Sequence, residues 1–443
     1  MAPSFKLVTL GCKVNQCESE ELAAALAAMG LGRVDAGRDA DICIVNTCAV
    51  TQRAAMQCRQ AIRHEVSGNP HVRVIVTGCY AQTDPGALLR IAGVERVIGN
   101  DRKNQLPAVV AELIGADGAC GCAGAAGPAE AGDRQPGHPA QHRTRAFLKI
   151  QDGCNSFCTY CIVPYARGRS RSIAPSAVLA AIAAFEAAGH REVVLTGIHI
   201  GRYGQDLDPA IDLYALLARI LEARFSLRIR LSSIEPAELS DGIIGLMAEN
   251  EVFCPHVHIP LQSGDDGILK AMHRPYDARQ FADVVRRIRG AMPHAAIGSD
   301  VLVGFPGETA EAFANTRSLI ESLPITYLHV FPFSRRPGTA AWHLPDRVDA
   351  DIIKSRCAML RTVGKRKKAE FCQSLTGTTT TVLIESKNDP RTGWSRGLSP
   401  HYQNVLIEDR CDLAENRLVD VRIVASRGES LIGRLIGVDG ATV

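Results

Sequence analysis

Short apolar runs alternate with amphipathic helical stretches along most of this chain, and no other feature constrains its fold as strongly. FKLVTL is followed by ESEELAAALAAMG, DICIV by TQRAAMQCRQAIRHEV, and VRVIVT by a third helical stretch after Asp84. This pattern implies a parallel sheet covered by helices on both faces. The alternation resumes in AFLKI, REVVLTG, SLRIRLS, CPHVHIPL, AAIGSDVLV and TYLHVFPFS, each but the last followed by helical sequence. Six parallel strands joined by right-handed crossovers suit an open (β/α)6 sheet or a partial barrel. The tail then carries the short alternating runs TTTTVLIES, QNVLIED, RLVDVRIVA and LIGRLIGV, which read as a small all-β barrel.

The expected organisation is therefore an α/β domain over 3–110, a linker over 111–142, a second α/β domain over 143–371 and a β-barrel over 372–443. The linker assignment rests on GADGACGCAGAAGPAEAGDRQPGHPAQ, rich in Gly, Ala and Pro and without period. At 443 residues the chain is long for one domain. A net charge of +3 leaves no global basic field, so any nucleic-acid surface must be local. The N-terminus MAPSFKLVTLGCK has no long apolar stretch, and no run approaches a membrane span, so a soluble, cytoplasmic protein without a membrane partner is expected. Fifteen cysteines in such a chain argue against a disulfide framework and for metal binding or catalysis.

The cysteines sort by position. Ligands of open α/β sheets collect at the carboxyl ends of strands, where loops converge and helix N-termini point. Cys12 follows FKLVTL, Cys48 follows DICIVN, and Cys79 follows VRVIVT, so three successive turns present a cysteine at one edge. Cys43 lies inside a strand, Cys17 and Cys58 fall on helices, Cys254 begins a strand, and Cys357, Cys372 and Cys411 are isolated; these read as core. Cys120 and Cys122 stand in the linker with nothing rigid to hold them.

A second triad, Cys154, Cys158 and Cys161, has the spacing C-x3-C-x2-C within DGCNSFCTYCIVPYARGR, after the first strand of the second domain. Thiolates are the usual ligands of iron–sulfur clusters, and three of them leave one iron of a four-iron cluster open to another molecule. Zinc is the competing reading, but it needs a fourth ligand, and no His or Cys stands at finger-like spacing.

This triad, with Tyr160 before its last cysteine, resembles the radical S-adenosylmethionine (SAM) superfamily. With the upstream triad, the GRSRS run and the terminal barrel, the whole chain resembles the methylthiotransferases. FLKIQDGCNSFCTYCIVPYARGRSRS, VVLTGIHIGRYG, RLSSIEP, HVHIPLQSG, SDVLVGFPGET and LHVFPFSRRPGT look most like the enzymes that act on tRNA N6-threonylcarbamoyladenosine. The resemblance implies an N-terminal cluster domain, a radical-SAM core and a terminal TRAM domain. It implies two [4Fe-4S] clusters, one on Cys154, Cys158 and Cys161, where SAM is cleaved to a 5′-deoxyadenosyl radical, and one on Cys12, Cys48 and Cys79, which supplies sulfur. A second SAM would give the methyl group. A reductant protein such as flavodoxin or ferredoxin and a sulfur source are implied as partners.

The remaining strand ends of the core carry polar or glycine residues, as a small-molecule site requires. They are Thr196, Gly197 and His199; Ser232, Ser233 and Glu235; Gln262, Ser263 and Gly264; and Asp300. The resemblance makes these edges, with Tyr160 and Arg171, candidates for SAM, though Ser, Asp and Gly also serve as loop caps. Arg167, Arg169 and Arg171 are placed to hold the SAM carboxylate or a tRNA phosphate. For the tRNA anticodon stem-loop, the candidates are Lys354, Arg356, Arg361, Lys365, Arg366, Lys367 and Lys368 on one basic helix, and Trp394, Arg396 and Tyr402 in the barrel. Alternatives are an enzyme acting on isopentenyladenosine in tRNA or on a ribosomal-protein aspartate, and a non-catalytic metal-containing RNA-binding protein.

Overall fold

The computed structural model describes residues 3–35, 38–115, 144–408, 410, 412–438 and 441–442. Cys120, Cys122 and Cys411 lie outside them, as does the segment read as a linker except for its first residues. Those continue the helix Leu106–Gly115. The chain separates into two compact units, the described residues of Met1–Gln141, Phe147–Ala181 and Ser334–Trp342, and those of His142–Ala146, Ile182–Phe333 and His343–Val443.

In the first unit the strands β1 (Ser4–Thr9), β2 (Gly32–Arg33), β3 (Ile42–Thr47), β4 (Arg73–Gly78) and β5 (Val94–Ile98) form a parallel sheet in the order β2-β1-β3-β4-β5. Helices α1 (Lys13–Ala28), α2 (Gln52–Gly68) and α3 (Cys79–Thr83) lead away from the carboxyl ends of β1, β3 and β4. All six residues of β3 are buried, as a central strand with both faces covered must be. Cys43 and Cys58 pack with Val45, Val74 and Val76 on one face, and Phe5, Ile42, Ile44 and Ile75 pack with Leu26 on the other. The strand β6 (Ala146–Lys149) precedes the segment holding the second cysteine triad, which ends in the short helix α4 (Val163–Arg167).

In the second unit β7 (Glu192–Thr196) pairs in parallel with β8 (Arg228–Leu231). β9 (His256–His258), β10 (Ala296–Val303) and β11 (Tyr327–Pro332) follow as a parallel set, linked to β8 by bridges at Ile229–Phe253 and Ser233–His258. All the core strands read from the sequence are present. The helix α5 (Ala350–Ser374) then leads to β12 (Thr379–Ile384), β13 (Ser395–Leu398), β14 (Asn404–Ile407), β15 (Leu418–Arg427) and β16 (Ser430–Val438). These run in the order β14-β13-β12-β15-β16, and the pairing of β16 with β14 closes a small barrel of the TRAM-like kind. Register shifts at Asp420/Val421 and Ile423/Ala425 give β15 the bend that closure requires.

The barrel shares its core with the rest of this unit. Phe371, Cys372 and Ala296 pack with Val382, Val405 and Val421. Among the described residues no helix is long and apolar enough to cross a membrane.

Candidate active site

The first three candidate cysteines stand on turns that their neighbours fix. Cys12 caps the N-terminus of α1, Cys48 directly follows β3, and Cys79 opens α3. The Asn15 amide donates to Leu10 O at 2.7 Å and to Thr47 O at 3.0 Å, joining the turns that carry Cys12 and Cys48. Thr47 Oγ1 donates to Thr77 O at 2.5 Å, joining the Cys48 turn to that of Cys79. Close approach demands glycine here: a Cβ at Gly11 would lie 2.8 Å from Cys48 Cβ, and one at Gly78 (φ +97°) 2.4 Å from Thr47 O.

The three thiols feel one another. Burial pushes Cys48 up to about 12, and the charges of Cys79 and Cys12 add to the rise. Cys12 exposes part of its surface, yet the surrounding turns crowd its thiol; burial raises it, and the Arg167 guanidinium opposes that rise. Such thiols ionise readily only beside a positive charge, which a bound metal provides. Cys58, which reads as a helical core residue, also borders the group. Its Sγ accepts from Cys48 N–H at 3.3 Å and faces Cys48 O at 3.7 Å, so it supports the backbone of that turn.

Cys154, Cys158 and Cys161 lie on a tight loop in the same unit. Gly153 (φ +74°) lets the loop pass against its return segment, where a Cβ would meet Arg169 O at 2.0 Å. Cys154 N–H donates to Gly168 O at 3.1 Å, Cys161 N–H to Cys158 O at 2.9 Å, and Ser156 N–H to Cys154 Sγ at 3.4 Å. Phe157, at φ +46°, is exposed and meets exposed Tyr165 edge-on at 5.6 Å. Tyr160 is half-buried. The segment Ser334–Trp342 adds a brace, Ala341 N–H to Thr159 O at 2.7 Å.

Arg167 connects the two cysteine sets. Its guanidinium is buried and donates at 2.9 Å to both Glu18 on α1 and Asp152 before the loop, and at 2.5 Å to Asn15 Oδ1. Lys103 (2.5 Å) and Lys149 (3.7 Å) complete the group around Glu18. Burial disfavours the Glu18 carboxylate, but Arg167, Lys103 and Lys149 outweigh it and hold the group well below its ordinary value. Arg167 is thus committed to protein carboxylates, which corrects its reading as a ligand for SAM or phosphate. Arg169 and Arg171 remain exposed. Glu18, Asn15 and Lys103 escaped sequence reasoning because a charged or amide residue in a helix or turn ordinarily reads as solvated.

In the second unit Thr196 ends β7 and Gly197 follows it; Ser232 and Glu235 follow β8; Gln262 and Ser263 follow β9; Asp300 lies within β10. Ser232 Oγ is buried with no hydrogen-bond partner among the described residues. Burial raises the Glu235 carboxyl while its ion pair with Arg274 opposes the rise. Gln262 sits at φ +65°, and Ser263 Oγ lies 3.2 Å from Thr316 Oγ1. Asp300 lies 2.9 Å from His258 Nε2 and 3.1 Å from His329 Nδ1, and these contacts overcome burial to hold its carboxyl below the ordinary range.

The RNA candidates divide. Lys354, Arg361, Lys365 and Arg366 are exposed on α5, and Lys368 is partly so. Arg356 and Lys367 are buried: Arg356 donates to Glu308 Oε1 at 2.6 Å, and Lys367 to Leu323 O at 2.8 Å. The helix needs one face for packing, and these two carry their charges into it. In the barrel, Arg396 pairs with Glu385 at 2.8 Å, Trp394 is half-buried, and Tyr402 lines a cavity beside β11.

A parallel α/β core preceded by a loop that carries three closely spaced cysteines is the architecture of a radical-SAM protein, and residues 148–320 match the model of the radical SAM superfamily. Residues 4–99 match a second model, described as uncharacterized protein family UPF0004. The chain is 35% identical over 420 residues to threonylcarbamoyladenosine tRNA methylthiotransferase MtaB of Bacillus subtilis, covering 94% of this chain and 92% of that one. It is 32% identical to tRNA-2-methylthio-N(6)-dimethylallyladenosine synthase of Syntrophobacter fumaroxidans, with 99% and 97% covered. Among solved structures, the radical S-adenosylmethionine methyltransferase TsrM of Kitasatospora setae, with cobalamin and a [4Fe-4S] cluster bound, shares the fold at TM-score 0.56 and 18% identity, over 77% of this chain and 74% of that chain. The chain belongs to the radical-SAM methylthiotransferase family and is an enzyme of that type.

Proposed function

We propose that this enzyme inserts a methylthio group at C2 of N6-threonylcarbamoyladenosine next to the anticodon of tRNA, using SAM both as radical source and as methyl donor. Cys154, Cys158 and Cys161 hold one [4Fe-4S] cluster, and Cys12, Cys48 and Cys79 hold the other. What supports two sites is the gathering of both triads in one compact unit, with Arg167 tied at 2.9 Å to the helix behind Cys12 and to the residue before the second loop. The donor chemistry fits: each set offers only thiols, and three thiols leave one metal position for an outside ligand. When bound, the clusters and SAM supply radical formation and sulfur donation.

The chain's own residues bind and orient these groups. The hydrogen bonds of Asn15 and Thr47 fix the first three thiols, and backbone bonds within 153–168 fix the second three. Thr196, Gly197, Ser232, Glu235, Gln262, Ser263 and Asp300, with Tyr160 and Arg171, are the proposed SAM contacts; the orphaned Ser232 hydroxyl supports that reading. The proposed modules are 3–110 for the upstream cluster, 143–371 for the core and 372–443 for RNA. A reductant such as flavodoxin or ferredoxin and a sulfur source act with it in the cytoplasm, where its tRNA substrate resides. The substrate follows the family members named for threonylcarbamoyladenosine.

The test is nucleoside mass spectrometry after anaerobic reaction with anticodon stem-loops carrying either modified adenosine. Methylthiolation of the threonylcarbamoyl substrate is expected. Product from the dimethylallyl substrate alone overturns the assignment in favour of that second reading.

A further inference from the structure

The first unit contains a cavity of about 750 Å³ lined by Arg53, Arg59, Tyr80, Asp84, Arg336 and Trp342. It stands at the edge that carries the cysteines. Tyr80 directly follows Cys79, Ile162 on the same wall directly follows Cys161, and α2 begins four residues after Cys48. The segment 334–342 forms one side. Gln52 N–H donates to Ser334 Oγ at 2.9 Å and Gln52 Nε2 to Arg335 O at 3.3 Å, which fixes this segment to the first turn of α2. The Arg335 guanidinium lies 4.2 Å from the centre of the half-buried Trp342 ring and holds the indole in place.

The charges on this wall are unequal. It carries three guanidinium groups and one carboxylate, that of Asp84, which is exposed and caps the next turn by accepting Ala87 N–H at 3.1 Å. Arg59 donates to the Tyr80 hydroxyl at 2.8 Å, a neutral partner. Arg53 is exposed. Arg336 is only 7% exposed, and among the described residues its side chain makes no ion pair and its Nε no hydrogen bond. Burial, with Arg59 behind it, pushes this guanidinium below its ordinary value, and Cys48, Tyr80 and Asp84 oppose the fall without overcoming it.

A buried guanidinium without a paired counter-charge is costly to keep, so it marks a place where an anion arrives. A cluster on the Cys48 triad and a phosphate of the RNA are the two sources at hand. The rest of the wall favours the phosphate. A cluster uses neither an indole face nor a rim open to solvent, and exposed Arg53 and Met56 form such a rim. An unstacked base does use an aromatic face, and its phosphate suits a planar guanidinium. We propose that this cavity receives one unstacked nucleotide of a single-stranded RNA loop, its base against Trp342 and its phosphate on Arg336 and Arg53. The inference rests on the RNA substrate proposed above and adds the first unit to the parts of the chain that bind it.

Reconstituted full-length enzyme is titrated with an anticodon stem-loop and with a fully paired duplex of equal charge, each across a salt series. The loop offers unstacked bases and the duplex does not. Trp342→Leu is expected to weaken loop binding about tenfold at an unchanged salt slope, as loss of one stacked base requires. Arg336→Gln should weaken it as well and lower the salt slope by about 0.7, the share of one single-strand phosphate. Arg336→Lys should restore the slope. Arg53→Gln, on the exposed rim, should lower the slope by a similar amount, and it keeps the test decisive if the buried variants fold poorly. Duplex binding should stay unchanged throughout, and Arg286→Gln, in an exposed pair with Asp283, should alter neither RNA. Equal weakening for loop and duplex would identify a general basic surface and overturn the proposal. Loss of about half the iron in Arg336→Gln with loop binding unchanged would assign the guanidinium to the cluster and overturn it too. A wild type that does not bind the loop overturns the substrate reading itself, whereas unchanged variants beside a wild type that binds overturn this inference alone.

Discussion

Replacing Arg167 by methionine keeps an unbranched apolar stem and removes the charge that joins the two cysteine sets. Two buried carboxylates each lose an ion-pair partner at 2.9 Å, and Asn15 Oδ1 loses a donor. Glu18 retains Lys103 at 2.5 Å, so its loss is partial. Asp152 retains Gly153 N–H at 2.8 Å and Arg171 at 3.8 Å, but Arg171 is half-exposed and contributes little. Breaking a buried ion pair from one side costs about 3–5 kcal/mol, and the partners that remain place this case near 3 to 4 kcal/mol. For a unit of this size that corresponds to a melting temperature lower by roughly 6–16 °C.

The chain has two tryptophans, and Trp342 belongs to the first unit while Trp394 belongs to the second. In a Trp394→Phe background, fluorescence therefore reports on the unit that holds the network. Urea unfolding of cluster-free protein should show the loss, and a cycle with Glu18→Gln should show strong coupling, because the uncompensated charge is gone in the double variant. The pH dependence gives a further check. Glu18 is held below its ordinary value of 4.5, so its contribution is complete above about that pH and fades as pH falls toward the lowered folded value. In Arg167→Met the fade should be smaller and end at higher pH, because the folded value rises toward an unchanged unfolded one. A loss under about 1 kcal/mol, or an additive cycle, would refute the reasoning.

Cys43→Ala should cost about 1 kcal/mol of stability and leave iron content unchanged, since the residue is fully buried inside β3; loss of iron measured on reconstituted protein would contradict this. Lys365→Gln with Arg366→Gln should weaken tRNA binding and reduce the salt slope by about 2, read from affinities across a salt series, whereas Lys367→Gln should lower stability instead. Glu192→Gln should remove a stability gradient in acid. The wild-type contribution is complete above pH 4.5 and lost as pH falls through its folded value of about 2, so unfolding measured between those limits should flatten in the variant.

The strands and their order of appearance were legible because an apolar run flanked by helical periodicity has few other homes, and β3 and β10 illustrate it. The cysteine triads were legible for the same reason: Cys12, Cys48 and Cys79 each follow a strand end by one to three residues. The partners of Arg167 were not, since Glu18 and Asp152 are more than a hundred residues apart in sequence and nothing local marks their burial. The basic helix misled in part, because a charge run shows its composition but not which charges fall on the packed face; Arg356 and Lys367 do. The barrel was legible as strands but not as a partner of the core. Arg230, fully buried, donates to Ser399 and Pro400 carbonyls, so removing residues 373–443 would unmake part of the second unit rather than simply delete an RNA-binding module.

The division of labour between the two triads is the centre of the account, and a paired measurement on Cys48→Ala and Cys158→Ala tests it most directly. Each variant is reconstituted anaerobically and assayed for iron, for 5′-deoxyadenosine formed from SAM and for methylthiolated nucleoside. Each is expected to lose about half the iron of the wild type, as removal of one of two four-iron clusters requires. Cys48→Ala should still form 5′-deoxyadenosine but no methylthiolated product, and Cys158→Ala should form neither. Full iron and product from Cys48→Ala, or 5′-deoxyadenosine at the wild-type rate from Cys158→Ala, would contradict it.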